Sequence, residues 1–192
     1  MKKYMTPMLA VAGLMVTSAA FAQEPVKIGF VNTFSGPNAA IGNDKKDAAT
    51  LAVEHLGGKM GNRKIELIIE DDQMKPEVGK QVTEKLVLVD KVDFLTGYNW
   101  SNVLLASVKP AFDNKTFLIS ANAGPSPLAG KQCSPYFFST SWQNDQTPMT
   151  QGEALNKKGI KKLFVLAPNY AAGRDMANGV KRTFKGEVVG EE

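Results

Sequence analysis

The chain has 192 residues, 43% hydrophobic and 22% charged, which excludes a disordered or fibrous protein and leaves a soluble globular one with one or two cores. Its net charge of +4 includes Lys2 and Lys3; without them 21 basic groups stand against 19 acidic ones, spread along the chain, so no basic stripe for nucleic acid forms. Cys133 is alone in this sequence, so a free thiol is expected unless a partner lies beyond this chain's end.

In chain order, residues 1–22 read as an export leader. Lys2 and Lys3 open it, residues 8–16 are an unbroken apolar run, and Ala20-Phe21-Ala22 is the small-x-small pattern of signal peptidase. Cleavage is expected between Ala22 and Gln23, placing the mature chain in the periplasm. The run is far shorter than the roughly twenty apolar residues a membrane span needs.

Residues 26–31 read as a buried strand, ending in the loop Phe34-Ser35-Gly36-Pro37. A helix over 44–56 places Ala48, Leu51, Ala52 and His55 on one side. A second strand, 65–69, runs into Glu70, Asp71 and Asp72, which suit capping groups before a helix that Pro76 opens and Val78, Val82, Leu86 and Val89 continue. A third strand, 92–95, leads to Gly97-Tyr98-Asn99-Trp100-Ser101-Asn102, where Ser101 can cap a helix reaching Phe112. A fourth strand, 117–119, ends in Ser120-Ala121-Asn122-Ala123-Gly124. Residues 121–135, with three prolines, read as a connection between lobes. A helix over 146–158, a strand over 163–166 and a helix over 174–184 follow, and a further strand begins near Val188.

Strands alternating with helices predict an α/β protein with doubly wound parallel sheets. In such sheets ligands sit beyond the carboxyl ends of the strands, where the three polar and aromatic loops fall. None of these loops carries an obvious catalytic group. Residues 124–131 miss the phosphate-binding loop because five residues separate Gly124 from Gly130 and Gln132 follows Lys131. Gly36 and Gly42 lack a G-x-G start, and no serine has an elbow sequence or an evident base. No enzyme and no cofactor is expected, and the lone His55 makes a poor metal ligand.

The ordered set Ile28-Gly29-Phe30, Ser35-Gly36-Pro37, Leu51-Ala52-Val53, Glu70-Asp71-Asp72, Lys85-Leu86-Val87, Gly97 with Ser101, Leu118-Ile119-Ser120, and Asn169-Tyr170 with Gly173 resembles the leucine/isoleucine/valine-type periplasmic solute-binding proteins. The resemblance implies two α/β lobes that close over a solute and deliver it to an inner-membrane ABC permease and its ATPase. On this basis residues 23–121 are the first lobe, 122–135 an inter-lobe crossing, and 136–192 an incomplete second lobe. The protein is expected to act as a monomer. The resemblance further implies that Ser101 and the loop Asn122, Ala123 and Gly124 hold the ligand's carboxylate and ammonium. Ile41 would touch the ligand from the first loop, and Tyr170 would close over it. Gly124 stands where the family often has threonine, so an acceptor for an α-ammonium is missing. With Asn99, Trp100, Trp142 and Gln143 nearby in the loops, the pattern resembles the branch that binds aromatic or other non-amino carboxylates.

Alternatives stay open at this stage. Trp100 and Trp142 equally suit core or lobe-interface aromatics, and Ser120 and Asn122 equally suit turns that satisfy their own backbone. A sensory ligand-binding module or an exported enzyme on the same fold is the alternative function, since fold does not fix function.

Overall fold

The short β-branched runs of this chain become parallel strands and the helical stretches between them supply the crossovers, with Val31, Leu95 and Leu118 fully buried while Phe117, Phe138 and Phe164 remain exposed. The computed structural model describes residues 23–192; the expected leader through Ala22 lies outside them. β1 (Val26–Asn32), α1 (Ala39–His55), β2 (Lys59–Met60), β3 (Arg63–Asp71), α2 (Pro76–Leu88), β4 (Phe94–Gly97), α3 (Ser101–Asp113), β5 (Phe117–Ser120) and β6 (Phe137–Ser139) build a six-stranded sheet of order β2-β3-β1-β4-β5-β6. All its neighbours pair in parallel except β2, which turns back on β3. α4 (Gln146–Lys157), β7 (Lys162–Val165), α5 (Ala171–Thr183) and β8 (Glu187–Glu191) form a second unit around a two-stranded parallel sheet.

The order reverses at β1. The chain steps from β1 to β3 on one side and then returns to β4 on the other, so a crevice opens between the carboxyl ends of β1 and β4. Gly97 makes this junction close: its φ is 102°, and a Cβ there would lie 2.2 Å from the Val31 carbonyl oxygen. The core lies between the sheet and the packed pair α2 and α3, where Val31, Leu86, Leu95, Val103, Leu104 and Leu118 are fully buried. Tyr98 is buried with them, its hydroxyl 2.7 Å from Thr83 Oγ1. Burial pushes its phenol well above the usual range.

Several expectations change. Helix α1 begins at Ala39 instead of residue 44, and its Ala48, Leu51, Ala52 and His55 are exposed; its buried residue is Gly42. Strands β2 and β6 are additions. Phe137–Ser139, expected to open the second lobe, instead pairs with β5 as the sixth strand of the first sheet, so the passage to the second sheet comes after Ser139. The acidic run does not cap α2, whose N-cap Lys75 makes no side-chain cap bond. Asp71 instead accepts the Phe34 and Gln73 amides, and Asp72 the Met74 amide, so they lock the turns that follow β1 and β3. Among the described residues no group of three or more His, Cys, Asp or Glu could hold a metal ion, and no helix is long and apolar enough to cross a membrane.

Candidate functional site

Trp100 is the residue around which the crevice is organised. It is extended (φ −106°, ψ 127°) at the N-cap of α3, and its Nε1 donates to Thr33 Oγ1 at 3.0 Å, just past the end of β1. Thr33 Oγ1 in turn donates to Asp72 Oδ1 at 2.5 Å, just past the end of β3. One hydrogen-bonded chain thus ties the ends of β1, β3 and β4 together. Asp72 is fully buried, its Oδ2 has no partner among the described residues, and burial raises its pKa.

Ser101 is the first residue of α3 and not its cap, which corrects the expectation that it caps the helix. It is 2% exposed, and its Oγ accepts a hydrogen bond from Asn144 Nδ2 at 3.0 Å. An indole cannot accept the helix's leading amides, so α3 starts without a side-chain cap. Helix α5 repeats the arrangement: Tyr170 is its N-cap, again with no side-chain cap bond. The two aromatic caps meet, with ring centroids 6.0 Å apart and an interplanar angle of 65°. Two helix N-termini, one from each unit, therefore converge on one edge-to-face aromatic contact. Partial burial raises the Tyr170 phenol, which stays protonated as a donor.

The loop after β5 closes the floor. Asn122 is exposed and its Nδ2 donates to the Asn99 carbonyl at 3.1 Å, while the Ala123 amide donates to the Tyr98 carbonyl at 3.2 Å. Ser120 Oγ donates to the Ala123 carbonyl at 2.6 Å, the turn-forming use open to it from sequence. Gly124 is buried in the crossing: a Cβ would lie 2.2 Å from the Trp142 carbonyl oxygen, so no side chain, threonine included, fits without moving that backbone segment. Gln143 Nε2 donates to Ser126 Oγ at 3.1 Å.

The structure thus gathers Asn99, Trp100, Ser101, Asn122, Ala123 and Tyr170 around the crevice. Trp142 is 63% exposed and makes no aromatic contact among the described residues; with Gly124, Pro125 and Gln143 it walls a small cavity of about 70 Å³. Ile41 is 45% exposed in the first turns of α1.

Sequence reasoning missed two groups. Lys45, one turn along α1 from Ile41, is half-buried and donates to Asn99 Oδ1. It has no acidic partner among the described residues, and burial lowers its pKa. The crevice therefore holds a cation that no sequence motif announced. Asn144 is the other: it stands in the segment Ser141-Trp142-Gln143-Asn144-Asp145 that enters the resemblance to the aromatic-acid branch, but its bond to Ser101 has no local signature in the sequence.

A periplasmic binding protein model matches residues 25–192, and the chain belongs to that family. It is 31% identical over 193 residues to Leu/Ile/Val-binding protein homolog 6 of Brucella abortus, a match covering 98% of this chain and 48% of that protein. Among solved structures, a solute-binding protein of an ABC transporter from Rhodopseudomonas palustris in complex with benzoate superposes with a TM-score of 0.81 at 35% identity, over 87% of this chain and 47% of the other. The isoleucine complex of a branched-chain amino acid transporter substrate-binding protein from Streptococcus pneumoniae gives 0.76 at 26%, over 88% and 49%. The chain spans about half the length of the relatives it matches.

Proposed function

We propose that the protein is the substrate-binding component of an ATP-driven importer that captures a small organic acid, without chemical change, and passes it to an inner-membrane permease and its ATPase. The observation that carries this reading is the convergence of the uncapped starts of α3 and α5 on Trp100 and Tyr170. A helix N-terminus presents unsatisfied amides and positive potential, so a carboxylate is the ligand group that completes both ends. Lys45 adds a charge of the right sign. The leader at 1–22 delivers the chain to the periplasm, the first lobe runs through Ser139, and the second begins beyond it.

The ligand we favour is an aromatic carboxylate. Gly124 leaves no room for a hydroxyl that would accept an α-ammonium, and Trp100 with Tyr170 offers ring faces from both lobes. A flat ring between two others needs about 7 Å, two carbon contacts of 3.5 Å, so the 6.0 Å pair must part to admit it and lobe movement accompanies binding. Benzoate-type ligands in two relatives at 30% and 35% identity support the same choice. Calorimetry of the protein produced from its intact gene tests this: benzoate or 4-hydroxybenzoate binds, and isoleucine and leucine bind weakly. Binding of the amino acids alone overturns the aromatic assignment, and binding of none overturns the proposal.

A further inference from the structure

The side-chain amide of Asn144 lies where the two units meet, and its neighbours decide which way round it sits. Nδ2 is 3.0 Å from Asp175 Oδ2 on α5 and 3.0 Å from Ser101 Oγ on α3. A carboxylate only accepts hydrogen bonds, so the atom facing Asp175 has to be the amide nitrogen; turned over, two oxygens would oppose each other. Asp175 Oδ2 is itself held from the connection by the Ser126 amide at 2.9 Å. Both hydrogens of the Asn144 nitrogen are then committed, one to Asp175 and one to Ser101. Ser101 Oγ is consequently the acceptor of that pair, and its own hydrogen is left to give. Among the described residues it donates to nothing, although Ser101 is 2% exposed.

We propose that Asn144 is a positioning residue for the carboxylate site: anchored by Asp175, it holds the Ser101 hydroxyl as a dedicated donor, its hydrogen turned away from Asn144 and toward an incoming carboxylate. The role rests on the carboxylate-binding reading above. An unrestrained serine hydroxyl rotates among three staggered positions and can accept as readily as donate. Fixing its polarity where the two units hold Asn144 between them removes that ordering cost from the ligand-bound arrangement. The side-chain amide bonds α3 and α5, and the Asn144 backbone amide donates to the Gly124 carbonyl of the crossing at 2.8 Å, so the donor is set only while the two units keep their present relation.

The experiment is a double-mutant cycle on the protein from its intact gene, with benzoate, 4-hydroxybenzoate and isoleucine titrated calorimetrically. Asn144→Ala is expected to lower affinity for the bound acid about tenfold, the worth of one hydrogen bond to a charged group, and less than about twofold when Ser101→Ala is already present. A structural role would give the same loss in both backgrounds, and that result, or no loss in the parent, overturns the proposal. Asp175→Asn, which lets the Asn144 amide turn over, provides a second arm should Asn144→Ala unfold: a several-fold loss confined to the Ser101 background supports the role, and an equal loss in both backgrounds overturns it. Failure of the unaltered protein to bind any of the three acids overturns the carboxylate reading and this role together; a background-independent loss overturns the role alone.

Discussion

Thr33 accepts from one partner and donates to another in a space sealed from water, so replacing it with valine keeps its shape and cuts both bonds. Thr33 is 1% exposed and Asp72 fully buried. Without the hydroxyl, Asp72 Oδ1 retains only the Met74 amide at 2.8 Å, and Trp100 Nε1 loses its acceptor. A hydrogen bond to a charged group contributes about 1.5–3 kcal/mol and a neutral one about 0.5–1.5 kcal/mol, so Thr33→Val should cost about 2–4 kcal/mol. Thr33→Ser keeps both bonds and loses one methyl group, about 1 kcal/mol. Urea unfolding measures the difference between the two variants. With Trp142→Phe as background, Trp100 is the remaining one of the two tryptophans, and its emission should move to longer wavelength in Thr33→Val as the indole N–H turns to water. A loss below about 0.5 kcal/mol with unshifted emission, or equal losses for valine and serine, refutes the claim that Thr33 holds the indole.

Lys45→Met should separate stability from function: burial lowers the ammonium's pKa below 10.5, so the charge costs stability at neutral pH that returns as pH rises through the lowered value toward 10.5. The variant is expected to unfold at higher denaturant than the parent at pH 7, to converge with it in alkali, and to bind benzoate more weakly by calorimetry. Asp72 has the opposite sign: its folded pKa is raised above 3.8, so its full contribution is present below that pH and is lost as pH rises through the folded value. Asp72→Asn keeps the accepting oxygen and neutralises the unpartnered one, so its unfolding midpoint should gain on the parent as pH rises above 3.8 toward the raised folded value, as a pH series of denaturation curves would record. Gly124→Ala drives a Cβ against the Trp142 carbonyl oxygen and should cost about 1–3 kcal/mol of overpacking, seen as a lower melting temperature.

Much of the architecture was legible because it depends on local pattern. The runs within β1, β3, β4, β5 and β7 are apolar and bounded by turn residues, and Pro76 and Ser101 mark helix starts that the structure keeps at those residues. Tyr170 and Ser101 came from the order of motifs. What failed did so for want of a partner strand or face. Phe137–Ser139 is too short to announce a strand and becomes one because β5 offers an open edge. The apolar side of α1 has helical spacing, yet spacing cannot say what it packs against, and Ala48 and Leu51 stay in solvent.

The sequence by itself determined most of the strands and helices, though not β2 or β6, and that polar, aromatic loops follow the strands, because periodicity and turn chemistry act over a few residues. Tertiary structure alone decided that β1 lies between β3 and β4, that the Trp100 and Tyr170 rings meet, and that Lys45 and Asn144 reach the crevice. These contacts join residues 43 to 70 positions apart in the chain, and only the reversal of strand order and the passage to the second sheet bring them within a few ångströms.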